Sequence, residues 1–204
     1  MKNLLSILPT ELTQILNSEW FEDNGGISID KLENLENEKT IQFSLDTGDS
    51  KTANQLWQLN AKSVKSTKID LDWSTDFYIF DDHFLLWEFT DYTTGLYFNG
   101  DGSNGDKLFV DFHKLHKSLF GKYFDIDKYL NDSLDLNSLC NSNVGIFAHG
   151  PMKILEHYYN CLKKNGRKPY YQSYDDPESK EKLLLLIIGK SYIIAEKFFF
   201  TKLE

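Results

Sequence analysis

Cysteine and arginine are scarce in this chain. Of its 204 residues only two are cysteines, Cys140 and Cys161, and no Cys-x-x-Cys pair occurs. The sequence therefore predicts neither a disulfide framework nor a zinc knuckle. A single arginine, Arg167, accompanies 21 lysines, and the formal net charge is −9. Because nucleic-acid-binding proteins concentrate positive charge to neutralise phosphates, this balance argues strongly against a nucleic-acid partner.

Long hydrophobic runs are also missing. The longest uninterrupted run, Leu183–Ile188, has six residues, whereas a membrane-spanning helix needs about 20. The segment Met1–Leu16 is interrupted by Ser6 and Pro9, and no small-residue cleavage site follows it. We therefore expect no signal peptide, no membrane association and a cytoplasmic location. The hydrophobic fraction of 41% is high enough for a folded core and excludes an intrinsically disordered chain.

The acidic residues are concentrated in one segment. Residues 69–106 contain nine acidic residues and no lysine or arginine, whereas the rest of the chain has 22 acidic and 22 basic residues. The same segment contains ten aromatic residues. This segment therefore accounts for the whole net charge of the protein.

The acidic and aromatic segment admits two interpretations. In the first, it is a docking face for a basic protein partner, because aromatic residues anchor interfaces and a field of one sign accelerates encounter with the opposite sign. In the second, the aromatic residues fill one face of a sheet and the acidic residues solvate the other. The candidate binding residues under the first interpretation are Asp76, Asp81, Asp82, Trp87, Asp91 and Tyr92.

The pattern along the chain predicts a single α+β domain over residues 1–204. A short helix near 9–18 and an acidic surface excursion make up 1–38, and alternation in 39–98 indicates an antiparallel β-meander of about five or six strands. Apolar spacing of 3.6 residues in 107–166 predicts two main helices at about 107–120 and 151–165. The apolar segment 183–200 predicts a C-terminal β-hairpin that turns at Gly189. We expect the sheet to pack against the two helices.

Four histidines offer an alternative to the docking face. His113 and His116 lie three residues apart on the predicted helix 107–120, His83 follows two aspartates, and His149 precedes Gly150-Pro151 at the start of the second helix. If they met with a carboxylate in one pocket, they would support a small enzyme or a ligand-binding protein. No third ligand accompanies the histidine pair, and the glycine-rich loop 99–106 lacks the ligand spacing of an EF-hand. We therefore predict no metal and no cofactor.

The N-terminal residues resemble a known family. Leu8-Pro9, the short helix that follows, and Asn24-Gly25-Gly26 are similar to the N-terminal signature of the SUKH immunity proteins of bacterial toxin systems. The resemblance covers residues 8–26 and implies toxin neutralisation. Together with the acidic segment, it favours a non-enzymatic bacterial protein-binding module that neutralises a basic partner by occlusion.

Overall fold

The structure is a computed structural model that describes residues 3–49, 54–101, 103–121, 123–177 and 182–203. These residues divide into two compact units. The first unit is drawn from residues 1–86 and 181–204, and the second from residues 87–180. The sequence did not predict this division.

The described residues form six α-helices and eleven β-strands, with a short 3-10 helix at Leu5–Ile7 before them. The α-helices are α1 (Thr10–Leu16), α2 (Glu19–Asn24), α3 (Phe84–Thr90), α4 (Gly105–Leu119), α5 (Leu136–Asn141) and α6 (Met152–Lys164). The strands are β1 (Gly26–Leu35), β2 (Glu38–Asp46), β3 (Gln55–Lys62), β4 (Ser66–Lys68), β5 (Phe77–Phe80), β6 (Thr93–Asn99), β7 (Val144–Pro151), β8 (Lys168–Asp175), β9 (Leu184–Ile188), β10 (Ser191–Ala195) and β11 (Lys197–Leu203). The protein is therefore a mixture of helices and antiparallel sheets, as expected.

The first unit contains two four-stranded antiparallel sheets, with strand orders β1-β2-β3-β11 and β4-β10-β9-β5. Their side chains share one hydrophobic core that includes Phe43, Trp57, Leu59, Ile79 and Leu186. Strand β2 alternates buried and less buried residues, as a strand with one face on a core must.

A C-terminal hairpin turns at Gly189 as predicted, but the predicted span 183–200 divides at Glu196 into β10 and β11, which lie in different sheets. Strands β9 and β10 pair in register around the two-residue turn Gly189-Lys190, and Gly189 has a φ of +60°, a conformation that glycine adopts without steric cost. Both strands are buried along nearly their whole length. The chain then continues into β11, which pairs with β3 in the other sheet of this unit.

The predicted single meander is wrong, because the strands of residues 39–98 belong to three different sheets. Strands β2 and β3 are neighbours, but β4 pairs with β10, β5 pairs with β9, and β6 lies in the second unit between β7 and β8. The physical reason is the hairpin. Its two apolar strands need a hydrogen-bonding neighbour on each outer edge, so they lie between β4 and β5 and separate them.

Two local predictions were also wrong. Residues 84–89, predicted as a strand, form α3, because a short apolar run does not distinguish a strand from a helix. The predicted acidic excursion contains the ten-residue strand β1, whose charged residues suit an edge position. The polar stretch that begins at Lys168 forms the edge strand β8.

The second unit is a three-stranded antiparallel sheet, β7-β6-β8, with α4, α5 and α6. Helices α4 and α6 agree with the predicted 107–120 and 151–165 to within two residues at each end. Phe112 of α4 is fully buried, and its ring lies 5.1 Å from that of Phe147 on β7 and 4.7 Å from that of Tyr158 on α6. Phe112 therefore links both main helices to the sheet of this unit.

We expect Phe112→Ala to lower the free energy of unfolding by about 3–5 kcal/mol, because it removes a buried ring and leaves a cavity. Urea denaturation followed by circular dichroism measures the loss. The control is Val110→Ala on the same helix, whose side chain is 46% exposed and whose truncation should cost less than about 0.5 kcal/mol. A loss below about 1 kcal/mol for Phe112→Ala would contradict the packing described above.

Candidate functional site

The acidic and aromatic segment is divided between the two units. Asp76, Asp81 and Asp82 belong to the first unit, and Trp87, Asp91 and Tyr92 belong to the second. The boundary falls inside α3, between Leu86 and Trp87. Each group of candidate residues is therefore described within its own unit.

Lysines from outside the segment neutralise part of its charge. In the first unit the Lys190 ammonium lies 2.9 Å from Asp72 and 3.9 Å from Asp70, and Lys182 lies 3.0 Å from Asp81. In the second unit Lys128 lies 2.7 Å from Glu88. The hydrogen bond from Lys190 also lowers the pKa of Asp72. Counting charged residues along the segment could not reveal these pairs, because each lysine is far from its partner along the chain.

In the second unit, Asp91 stabilises a helix. Its Oδ2 accepts a hydrogen bond of 2.6 Å from the backbone N–H of Lys153, in the first turn of α6. The neighbouring Tyr92 carbonyl accepts from the N–H of Met152, and the Lys153 ammonium lies 5.3 Å from the centre of the Trp87 ring. A carboxylate at a helix N-terminus satisfies unpaired N–H groups and the helix dipole. Asp91 and Trp87 thus have contacts within the protein, whereas the Tyr92 side chain is 50% exposed.

In the first unit, acidic residues lie at both ends of the edge strand β5. Asp76 precedes the strand, and Asp81 and Asp82 follow it. Between them the rings of Tyr78 and Phe80 stack, with centroids 5.8 Å apart, and the Tyr78 hydroxyl donates to Asp76 at 3.2 Å. We call Asp76, Tyr78, Phe80, Asp81 and Asp82 the β5 strip.

A cleft of about 370 Å³ borders one end of the β5 strip. Asp76 and Tyr78 form one side of it, and residues of α1, α2 and their connection form the other, including Ser18 and Glu22. Ser18 caps α2 by accepting from the N–H of Phe21, which fixes the position of this wall. The described residues that line the cleft are Asn3, Leu5, Leu16, Asn17, Ser18, Phe21, Glu22, Thr75, Asp76, Phe77 and Tyr78, two of them acidic and none of them basic.

His83 is buried in the first unit at the start of α3. Its ring stacks on that of Phe80 and lies 4.2 Å from that of Phe84, and its Nδ1 accepts from the N–H of Leu85. Burial lowers the pKa of His83 to about 4, although the nearby Asp82 carboxylate opposes the shift. His83 is therefore neutral at physiological pH and serves as a helix cap. Residues 81–83 directly precede α3, which begins at Phe84.

The predicted histidine pair on α4 does not form a site. His116 is buried, and its Nε2 and Nδ1 lie 3.0 Å from the Phe124 carbonyl and 3.1 Å from the Tyr158 hydroxyl. The carbonyl can only accept, so Nε2 donates to it, and Nδ1 shares a hydrogen bond with the Tyr158 hydroxyl. Both nitrogens are thus engaged, while His113 is exposed. In the described part of the chain, no three His, Cys, Asp or Glu side chains are grouped so as to hold a metal ion.

His149 is exposed on β7 and lines a cleft of about 490 Å³ in the second unit, together with Asp127 and Asp132. Its neighbours in that cleft are not the other predicted histidines but tyrosines and a turn that precedes α5. Of the four predicted histidines, only His149 is among the residues that line this cleft, so the cleft does not bring two of them together.

The sequence analysis missed a third cleft, of about 520 Å³, between α4 and α6 in the second unit. Asp111, His157 and Cys161 line it, and the four-residue spacing of His157 and Cys161 on α6 was the available signal. Burial raises the pKa of Cys161 to about 11, with Asp111 adding to the shift. The thiol is thus protonated at neutral pH and is a poor nucleophile.

No protein-family model, curated protein or solved structure matches this chain. Among the helices described here, none is both long and apolar enough to cross a membrane.

The depressed pKa of His83 predicts a pH-dependent stability. Protonation favours the unfolded state, in which histidine has its ordinary pKa, so the stabilising effect is present above about pH 6.5 and is lost as the pH falls to about 4. His83→Asn retains an acceptor for the Leu85 N–H but does not titrate. We expect the wild type to lose up to about 3 kcal/mol more than His83→Asn over this range.

Urea denaturation at a series of pH values measures this difference. His113→Asn, which removes an exposed histidine, is the control and should keep the wild-type dependence. Parallel pH profiles for the wild type and His83→Asn would rule out a buried neutral imidazole at this position.

Proposed function

We propose that the protein is a non-enzymatic binding module that recognises a basic protein partner with the β5 strip of its first unit and blocks that partner by occlusion. The observation that supports this best is the cleft beside Asp76. It is lined by two carboxylates and no basic side chain among the described residues, and it borders exposed aromatic surface. A lysine or arginine side chain of a partner can form ion pairs with these carboxylates.

The charge of the cleft favours a cation. Asp76 and Glu22 contribute two negative charges, and Asn3, Asn17 and Ser18 add polar atoms along the walls. Charge-assisted hydrogen bonds to carboxylates are stronger than neutral ones, and an arginine can make two of them in parallel. The same negative charge repels phosphates, so the proposed partner is a protein and not a nucleic acid.

The aromatic side chains supply an anchor next to the charges. Tyr78 is 40% exposed and its ring is held by Phe80 and by the hydrogen bond to Asp76. Aromatic residues that are already fixed in place lose little conformational entropy when a partner covers them. The pair between Asp81 and Lys182 is exposed, and such pairs contribute at most about 1 kcal/mol. A partner's lysine or arginine can therefore replace Lys182.

The resemblance of residues 8–26 to SUKH immunity proteins supports toxin neutralisation as the concrete form of this function. Helices α1 and α2 come from those residues, and they provide the second wall of the acidic cleft. In this proposal the toxin inserts a basic side chain between β5 and α2. The bound protein then blocks access to the toxin's active surface and so inhibits the toxin.

The first test compares partner capture by matched variants. Asp76→Asn with Glu22→Gln removes both charges of the cleft, and Glu33→Gln with Glu38→Gln removes two charges elsewhere in the first unit, where they pair with Lys31 and Lys62. Each tagged protein is used to capture partners from the native host, with quantitative mass spectrometry as the measurement. We expect the cleft variant to capture at least about fivefold less of one basic protein than the wild type, and the control variant to capture it equally. Equal capture by all three proteins would exclude the cleft.

The second test separates steering from anchoring. With the captured partner in hand, we expect Asp81→Asn with Asp82→Asn to slow association more than it speeds dissociation, because charges at the rim act mainly by steering. We expect Tyr78→Ala to raise the dissociation rate, because it removes an anchor. Surface plasmon resonance at two salt concentrations measures the association and dissociation rates. The slower association of the aspartate variant must become less pronounced at the higher salt concentration. Unchanged rates in both variants would place the binding face elsewhere.

A further inference from the structure

We propose that the cleft beside His149 in the second unit is a binding site for a small organic cation, an ammonium or amidinium group carried on a flat apolar body. Its volume of about 490 Å³ lies in the range of small-molecule sites. Three kinds of observation support this: a wall fixed by backbone hydrogen bonds, aromatic rings, and carboxylates that no lysine of the cleft neutralises. This site is independent of the β5 strip.

The wall of the cleft is fixed before any ligand binds. Residues 127–132 run along the edge of β7, where the N–H of Asn131 donates to the Phe147 carbonyl and the N–H of His149 donates to the Tyr129 carbonyl. The Asn131 side-chain amide also donates to the Ile146 carbonyl at 3.1 Å. These bonds tie the turn to the sheet, so a ligand would meet a largely formed site and lose less entropy on binding.

The opposite wall carries aromatic rings on an irregular strand. The pairing of β6 shifts twice, between Thr94 and Gly95 towards β8 and between Leu96 and Tyr97 towards β7. Such bulges re-aim side chains and are common beside binding sites. A side chain at Gly95 would lie 2.8 Å from the Tyr97 ring, so glycine is required where that ring crosses the strand. Stacking on Tyr170, with centroids 5.6 Å apart, holds the Tyr97 ring.

The charge of the cleft is negative. Lys128 is its one basic side chain among the described residues, and the Lys128 ammonium is bound to Glu88 at 2.7 Å and lies over the Phe124 ring. Asp127 and Asp132 have no side-chain hydrogen bond or ion pair with the part of the chain that the structure describes. Both carboxylates are exposed at the cleft and have no counter-charge among the described residues, so a cation gains from both.

The rings suit the same cation. The Lys128 ammonium lies 5.3 Å from the centre of the Tyr129 ring, so this ring already contacts a positive charge of the protein. A ligand cation near Tyr97 or His149 would gain similar cation–π attraction, and its flat body would cover ring surface. The carboxylates of Asp127 and Asp132 would repel an anion. The chemistry of the lining thus selects positive charge together with an apolar body.

The test uses benzamidine, a flat cation, and benzamide, its neutral counterpart of nearly the same shape. Each is titrated into the full chain, and amide chemical shifts are followed by nuclear magnetic resonance. We expect saturable shifts at residues 95–97, 127–132 and 146–149, with benzamidine binding at least about fivefold more tightly than benzamide. Raising the salt concentration about tenfold should reduce this preference.

Variants assign the preference to the cleft. Asp127→Asn and Asp132→Asn should each weaken benzamidine binding about fivefold and leave benzamide unchanged. Asp125→Asn is the matched control, because Asp125 lies on the same segment but does not line the cleft. Tyr97→Leu should weaken both compounds. If one aspartate variant does not fold, as judged from its amide spectrum, the other decides.

Three results would overturn the proposal: no saturable shift, equal affinity for benzamidine and benzamide, or an equal loss in Asp125→Asn. The Asp76→Asn, Glu22→Gln variant must bind benzamidine normally, which separates this site from the proposed function. A lysine tripeptide, acetyl-Gly-Lys-Gly-amide, distinguishes the source of the cation. Binding of the tripeptide as tight as that of benzamidine would point to a protein side chain as the source of the cation, and selective binding of benzamidine would point to a free arylammonium or arylamidinium compound.

Discussion

The burial of the hairpin β9–β10 is the constraint on which the first unit depends. Ten residues around Gly189-Lys190 are almost all apolar and buried, and two strands of this kind need neighbours on both outer edges. Strands β4 and β5 meet that need, although they are distant from the hairpin along the chain. This places β5 at a sheet edge. The acidic residues that flank β5 are consequently near the surface, and Asp76 lies beside the wall formed by α1 and α2.

Charge in this protein is organised by pairing across long sequence separations. Lys190, Lys182 and Lys128 each reach an acidic residue of the segment 69–106, and Asp91 is committed to the first turn of α6. Asp76 and Glu22 line the cleft of the first unit, and Asp127 and Asp132 line the cleft of the second unit at His149. These carboxylates are the basis of the two proposals, a basic protein partner at the first cleft and a small organic cation at the second.

The histidines show how burial decides chemistry. In the sequence, His83 and His116 cannot be distinguished from functional histidines. In the structure, the His83 ring packs against aromatic rings, and both ring nitrogens of His116 are hydrogen-bonded. Desolvation lowers the pKa of His83 and makes it a neutral helix cap. His149 alone among the predicted four lines a cleft of the size that ligands occupy. The thiol of Cys161 is likewise kept protonated by burial.

The sequence was sufficient to predict those elements whose pattern depends only on neighbouring residues. Helices α4 and α6 follow from apolar residues at helical spacing, and the turn at Gly189 follows from a glycine between two apolar runs, because these patterns depend only on neighbours in the chain. The concentration of acidic residues in 69–106 was also visible. The pairing of the strands, the lysine partners of the acidic residues and the histidine that lines a cleft could be identified only in the tertiary structure. Each of these depends on contacts between residues far apart in sequence, and neither hydrophobic periodicity nor charge counting contains information about such contacts.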